Sequence, residues 1–244
     1  MNITLVCRYP HRARTAEQVW DDLSILILNL SSADPLFRQW WANPRSARDP
    51  YVPLSDSRAF VARVEEDDRR WAREFPGQPS DGSNGIMITN SGNDSDWTKR
   101  GGAGLSYQPN LGVLRFHVDR IEKAYRSPGN VVGTMLSAVL RTLPISFAQT
   151  NVQQRVDGQL LLYSRDRAPF PHREFLGWMG YVDTPLTEHQ IPAAARLERC
   201  GNGTLILATD VLDLSDPHAV QQANQVEMSL VDLGLLPVID PALK

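Results

Sequence analysis

The sequence predicts an α+β protein, a mainly antiparallel sheet with about four helices packed on one side. Three observations lead there. Four segments carry apolar residues at helical spacing between start and stop signals. Shorter runs between them carry strand-like apolar patterns. The order is one strand, two helices, several strands, a helix, more strands and a final helix, which lacks the regular alternation of a parallel doubly wound sheet.

Taken in order, Ile3, Leu5, Cys7 and Tyr9 alternate with smaller or polar residues and predict the first strand. Thr15-Ala16-Glu17-Gln18 has the form of a capping box and opens a stripe of Val19, Leu23, Leu26, Ile27 and Leu30, ended by Asp34-Pro35. Ser55 or Asp56 caps a second helix, with Phe60, Val64, Trp71 and Phe75 on one face and Glu65–Arg69 and Glu66–Arg70 as i,i+4 pairs. Ser127-Pro128 starts a third, through Val131, Met135, Leu136, Val139 and Leu143, stopped by Pro144. Asp216-Pro217 starts the last, through Val220, Ala223, Val226 and Leu230 to Gly234. Further strands are expected at 86–88, 114–118, 160–163 and 175–182, and the Gly201-Asn202-Gly203 turn predicts a hairpin of 196–199 with 204–209. Residues 76–104 are loop-rich, with Pro76-Gly77, Pro79-Ser80-Asp81-Gly82 and Ser91-Gly92-Asn93-Asp94 as turn signals. They read as long hairpin loops rather than a linker, so 1–244 is taken as a single domain.

Composition limits the function classes. The chain has 244 residues, 25 Lys+Arg, 28 Asp+Glu and a formal net charge of −3. That balance argues against a protein built to grip nucleic acid phosphates. Hydrophobic residues at 42% suffice for a core without staples. With no secretory signal pattern and no apolar run near the ~20 residues of a spanning helix, a cytoplasmic protein without membrane contact is expected. Cys7 and Cys200 are expected as buried free thiols, a long-range disulfide being the alternative.

Catalytic signatures fail on spacing. Lys99-Arg100-Gly101-Gly102-Ala103-Gly104 has its basic residues on the wrong side for a phosphate loop. Gly104-Leu105-Ser106-Tyr107 lacks the flanking glycine of a nucleophile elbow. His11, His117, His172, His189 and His218 have no neighbours at metal-ligand spacing, and His117 reads as an exposed strand residue. No catalytic residue, metal or cofactor is therefore assigned. Two features point instead to a protein partner. Glu65, Glu66, Asp67 and Asp68 form an acidic run, read as a solvated helix face or as a patch for a basic partner. Trp40 and Trp41 are adjacent, so on a strand only one faces the core. Trp97 sits beside Asp94 and Asp96, the composition of a hot spot if exposed and of a core residue if buried. These nine residues are the candidate contacts.

The residues also resemble a family. Val19-Trp20 through Leu30, followed by Asp34-Pro35-Leu36-Phe37-Arg38-Gln39-Trp40-Trp41, is similar to the opening of the immunity protein 52 family. Gly177-Trp178-Met179-Gly180-Tyr181, Gly203-Thr204-Leu205-Ile206-Leu207-Ala208-Thr209-Asp210 and Asp213-Leu214-Ser215-Asp216-Pro217-His218 follow the family's order of motifs. The resemblance implies a bacterial polymorphic-toxin immunity protein, in settings that include type VI secretion. Such a protein has no enzymatic activity and binds a cognate toxin, typically a restriction-endonuclease-like nuclease. It designates no contact residue. Two mechanisms stay open: filling a basic active-site groove with local acids, or binding elsewhere and blocking assembly or a conformational change. A small-molecule hydrolase with a site assembled from distant residues, around His117 or His172 for instance, is the alternative function.

Overall fold

The computed structural model describes residues 1–32, 34–77, 81–100, 102–240 and 242. The Pro79-Ser80 turn signal and Gly101 of the glycine-rich stretch lie outside the described residues. Two compact units are present, one of Cys7–Pro144 and one of Met1–Val6 with Ile145–Lys244.

The Cys7–Pro144 unit takes up the end of β1 (Asn2–Arg8), whose Ile3, Leu5 and Cys7 are buried in strict alternation. α1 (Ala16–Leu30) starts on the expected capping box. Gln18 N–H donates to Thr15 Oγ1 at 3.3 Å, and Thr15 N–H donates to the Gln18 side chain at 3.0 Å. Two amides with no intrahelical partner are thereby satisfied. Asp34 caps a short 3-10 turn over Pro35–Phe37, and β2 (Trp41–Ala42) and β3 (Val52–Pro53) follow. α2 (Ser57–Glu74) is capped by Asp56, then come β4 (Ile86–Thr89), α3 (Asp94–Arg100), β5 (Ala103–Gln108), β6 (Val113–Val118), α4 (Ile121–Ala124) and α5 (Pro128–Thr142). The strands run β6-β5-β4-β2-β3 with antiparallel pairing, and α1 packs against α2 and α5. Phe37 stacks on Trp40 at 6.1 Å and on Tyr125 at 5.5 Å, with Phe116 edge-on to Trp40 at 6.3 Å.

The other unit holds β7 (Phe147–Val156), β8 (Gln159–Leu162), α6 (Tyr163–Asp166), β9 (Met179–Val182), β10 (Arg196–Cys200), β11 (Gly203–Leu207) and α7 (Pro217–Asp232). Its strand order is β10-β11-β9-β7-β1, with β8 also on β7. The 200–203 turn closes the expected hairpin, Cys200 opposite Gly203 and Arg196 opposite Leu207. α7 begins at Asp216 and Pro217 and ends just before Gly234, which takes φ +71°.

The α+β class and the antiparallel pairing hold, with seven α-helices among the described residues where about four were expected. The four long helices are the expected ones, and the short α3, α4 and α6 are additional. α3 lies inside the 76–104 stretch expected to be loop, and β5 begins at its end. Asn93, read as a turn residue, instead accepts the Asp96 N–H at 2.9 Å and caps α3. The strand expected at 175–182 is reduced to β9, because Gly177 at φ +72° turns the chain against Thr150. β7 was not anticipated, since Gln149, Thr150, Asn151, Gln153 and Gln154 hide its period. The Asp157-Gly158 turn that closes it on β8, with φ of 49° and 81°, was legible. Both cysteines are free, Cys7 buried and Cys200 only half-buried.

Candidate functional site

The two adjacent tryptophans separate as strand geometry requires. Trp40 is buried, and its indole N–H donates to the Phe37 carbonyl at 2.9 Å. Trp41 opens β2, is half-buried, and lies against Gly92, where a Cβ would stand 3.1 Å from its ring. Its exposed side borders a groove of about 520 Å³. One wall is a stripe of α1, with Trp20, Ser24 and Leu28 at four-residue spacing. The facing wall carries Arg38, Trp41 and Leu54. Trp20 N–H donates to the Leu54 carbonyl at 2.9 Å and fixes the two walls together. Leu28 is 73% exposed, although its neighbours Ile27 and Leu30 are in the core. Arg38 is the single charged residue among the described residues lining the groove, and its guanidinium has no side-chain partner there. Trp20, Leu28 and Arg38 were missed from sequence as contacts. The signal was there, since Trp20, Ile25 and Leu28 lay on α1 outside the stripe assigned to the core.

The acidic run does not form one patch. Successive residues on a helix point about 100° apart, so Glu65, Glu66, Asp67 and Asp68 distribute around α2. Arg45 meets Glu66 at 2.7 Å and Asp67 at 2.5 Å, and Arg63 meets Asp67 at 3.2 Å while also donating to the Asn43 carbonyl. The Arg45 guanidinium holds the Glu66 carboxyl below its ordinary value. The expected Glu66–Arg70 pair is absent, because Arg70 turns to Glu74 at 2.6 Å; Glu65–Arg69 forms at 3.6 Å. Asp68 is half-buried and accepts the Asn84 N–H at 2.8 Å, and burial raises its pKa. Glu65 and Asp68, one turn apart, border a second groove with Glu17 and Asp81, where Arg14 and Arg69 also stand.

Asp94, Asp96 and Trp97 lie in the first turns of α3 rather than in a loop. Asp94 accepts the Tyr51 hydroxyl at 2.6 Å, pushing that phenol up to about 12, and Asp96 accepts from the Asn93 side chain at 3.0 Å. Trp97 is half-buried and covers Gly102, where a Cβ would stand 2.2 Å from the ring. Strand register relates Trp41 to Trp97: Trp41 is opposite Thr89, Thr89 is opposite Gly104, and the Trp97 ring lies 3.5 Å from the Cβ position of Gly104.

Trp71 and Phe75 were expected on one helix face with Phe60 and Val64. They are 37% and 41% exposed and contact each other, ring centres 4.3 Å apart. α2 buries Phe60, Arg63 and Val64 in its first half only, so its later aromatic residues reach past the core.

The chemistry sought around histidine takes other forms. His117 stands on the exposed face of β6 beside Asp119, at 3.0 Å. The His172 carbonyl accepts the Ile239 and Asp240 N–H groups, and Phe170 meets its ring edge-on at 6.3 Å. The displaced carboxyl is Glu227 on α7, which burial pushes up to about 7. One of its oxygens accepts the Leu176 and Gly177 N–H groups, both at 2.9 Å, and the Tyr163 hydroxyl at 3.1 Å. This is a clasp between α7 and the 176–177 turn, closed to solvent. No cluster of three or more His, Cys, Asp or Glu suited to a metal ion occurs among the described residues.

No family model and no curated protein matches the chain. Among solved structures, the Pseudomonas aeruginosa T6SS protein PA0821 aligns over 93% of this chain and 72% of its own, at 13% identity and a TM-score of 0.47. Neither fold nor role transfers at that level of likeness. No helix among the described residues is long and apolar enough to cross a membrane.

Proposed function

We propose that the chain is an immunity-type protein that binds a cognate bacterial toxin one to one and neutralises it, with the Trp20–Trp41 groove as its contact surface. The observation that carries this reading is the groove itself. Tryptophan and leucine side chains stand at an accessible surface, on walls joined by a buried-side hydrogen bond, as pre-organised binding anchors do. The resemblance of its motifs to those of the immunity protein 52 family suggests the partner class, a toxin of the restriction-endonuclease-like nuclease type, and the type VI setting. The reading assigns a cytoplasmic location, no catalytic step, no cofactor, and no direct contact with nucleic acid or membrane.

Of the nine contacts named from sequence, Trp41 retains the role, with Trp40 as its buried support. Glu66 and Asp67 serve the fold through Arg45 and Arg63, as Asp94, Asp96 and Trp97 do through α3. Glu65 and Asp68 become secondary candidates in the second groove.

The test is to identify the protein encoded by the neighbouring gene and co-express it with this chain. Growth rescue and a one-to-one complex are expected, and Trp41→Ala should weaken that complex. A harmless neighbour, or a toxic one that the chain neither binds nor silences, would overturn the reading.

A further inference from the structure

Resting on that reading, we infer that the groove between α1 and the 38–41 and 53–55 segments takes a short apolar segment of the partner protein bearing a carboxylate, paired with Arg38. The partner is then held away from any phosphate-binding groove of its own.

Three observations define the occupant. The first is charge. Arg38 is the single charged residue among the described residues lining the groove, it is exposed, and no carboxylate among the described residues engages its guanidinium. A guest carboxylate would complete the pair, whereas a guest lysine or arginine would meet a like charge. The second is apolarity. Trp20, Leu28 and Trp41 offer ring and methyl surface, so the carboxylate must sit on an otherwise apolar stretch. The third is size. From Trp20 to Ser31 the α1 wall rises through 11 residues, about 16 Å at ~1.5 Å per residue. That span matches about five extended residues or three helical turns. Gln39 and Ser24, neither engaged by another side chain among the described residues, stand ready for guest backbone groups.

The same chemistry argues against phosphate mimicry as the mode of inhibition. A basic nuclease groove would need free carboxylates opposite it. Within the acidic run, Glu66 and Asp67 are held by Arg45 and Arg63. The surface of the Trp20–Trp41 groove itself is apolar and weakly cationic. Binding outside the active site is therefore the mode this groove supports.

The probe is a pair of acetylated, amidated peptides, Leu-Phe-Ser-Glu-Leu and its Lys counterpart Leu-Phe-Ser-Lys-Leu, titrated into the full chain. Indole N–H resonances of Trp20 and Trp41 report occupancy. The Glu peptide should bind about ten-fold more tightly than the Lys peptide at low salt. Arg38→Glu should reverse that preference, and Leu28→Asp should abolish both interactions. Leu28 and Arg38 are exposed, so both variants should keep the wild-type melting temperature. Equal binding of the two peptides, no response at the two indoles, or an unchanged preference in Arg38→Glu would overturn the inference. In parallel, Arg38→Glu and Leu28→Asp are each tested for growth rescue against the neighbouring toxin. If wild type rescues and both variants rescue equally, the inference falls while the immunity reading stands. If the peptides behave as expected and wild type gives no rescue, the immunity reading falls and the groove's preference remains.

Discussion

Trp20 on α1 donates its indole N–H to the backbone carbonyl of Leu54 at 2.9 Å, across 34 residues of sequence. That bond makes the two walls of the groove a single rigid surface. A helix carrying an exposed leucine becomes a pre-organised site because its opposite wall cannot drift away.

Trp20→Phe keeps most of the ring and removes the donor. The Leu54 carbonyl is part-buried, and losing its partner should cost about 1 kcal/mol in urea melts. Affinity for the toxin should fall as well, chiefly through faster dissociation. Unchanged stability would mean that the bond does not hold the walls together.

Asp67→Ala separates folding from recognition. Arg63 is buried and Arg45 largely covered, so removing their shared carboxylate should destabilise the chain by about 1–3 kcal/mol. Once the lower stability is allowed for, toxin affinity measured calorimetrically on folded protein should not change. A selective loss of affinity at full stability would return Asp67 to the contact surface.

Glu227 should make stability depend on pH. Its folded pKa, about 7, lies above the ordinary carboxyl value near 4.5 that applies to the unfolded chain. Below about 4.5 both states hold the proton, and the contribution is fully present. As pH rises toward 7 the unfolded chain releases its proton first, so stability falls, by on the order of 3 kcal/mol, and then levels off. Asp68, displaced in the same direction by burial, adds to the slope at its acid end. Glu227→Gln keeps an acceptor for Leu176 and Gly177 and should flatten the profile between pH 5 and 8. A mutant profile as steep as wild type would assign the slope to other groups.

Gly177→Ala tests the turn that cuts β9 short. At φ +72° an added Cβ is strained, and it would stand 2.1 Å from the Thr150 carbonyl oxygen. A loss of about 3 kcal/mol or failure to fold is expected, against a gain of up to about 1 kcal/mol for Gly133→Ala, inside α5, where no atom lies within 4 Å of the new Cβ.

Helix ends were the most legible part of the fold. Thr15, Asp56, Asp216 and Pro217 act on backbone groups within three residues, and such local bonding is written in consecutive letters. β7 was illegible because its polar residues satisfy neighbours far along the chain. Gln154, for example, donates to Asp213 and accepts the Leu214 N–H. The acidic run misled for a related reason. Its charge was apparent in sequence, but its neutralisation depends on Arg45, 20 or more residues away and brought alongside only by folding.

By itself the sequence determined the long helices, the caps of three of them (the expected Ser127 cap makes no side-chain bond), the hairpin across 200–203 and a choice of one core-facing tryptophan between Trp40 and Trp41. All of these follow from periodicity and short-range hydrogen bonding. Only the tertiary structure decided which side chains remain for a partner. Exposure is what is left after every other segment has taken its contacts: Trp97 covers Gly102, the arginines take up the acids, and Leu28, Trp41 and Arg38 are left at the surface of one groove.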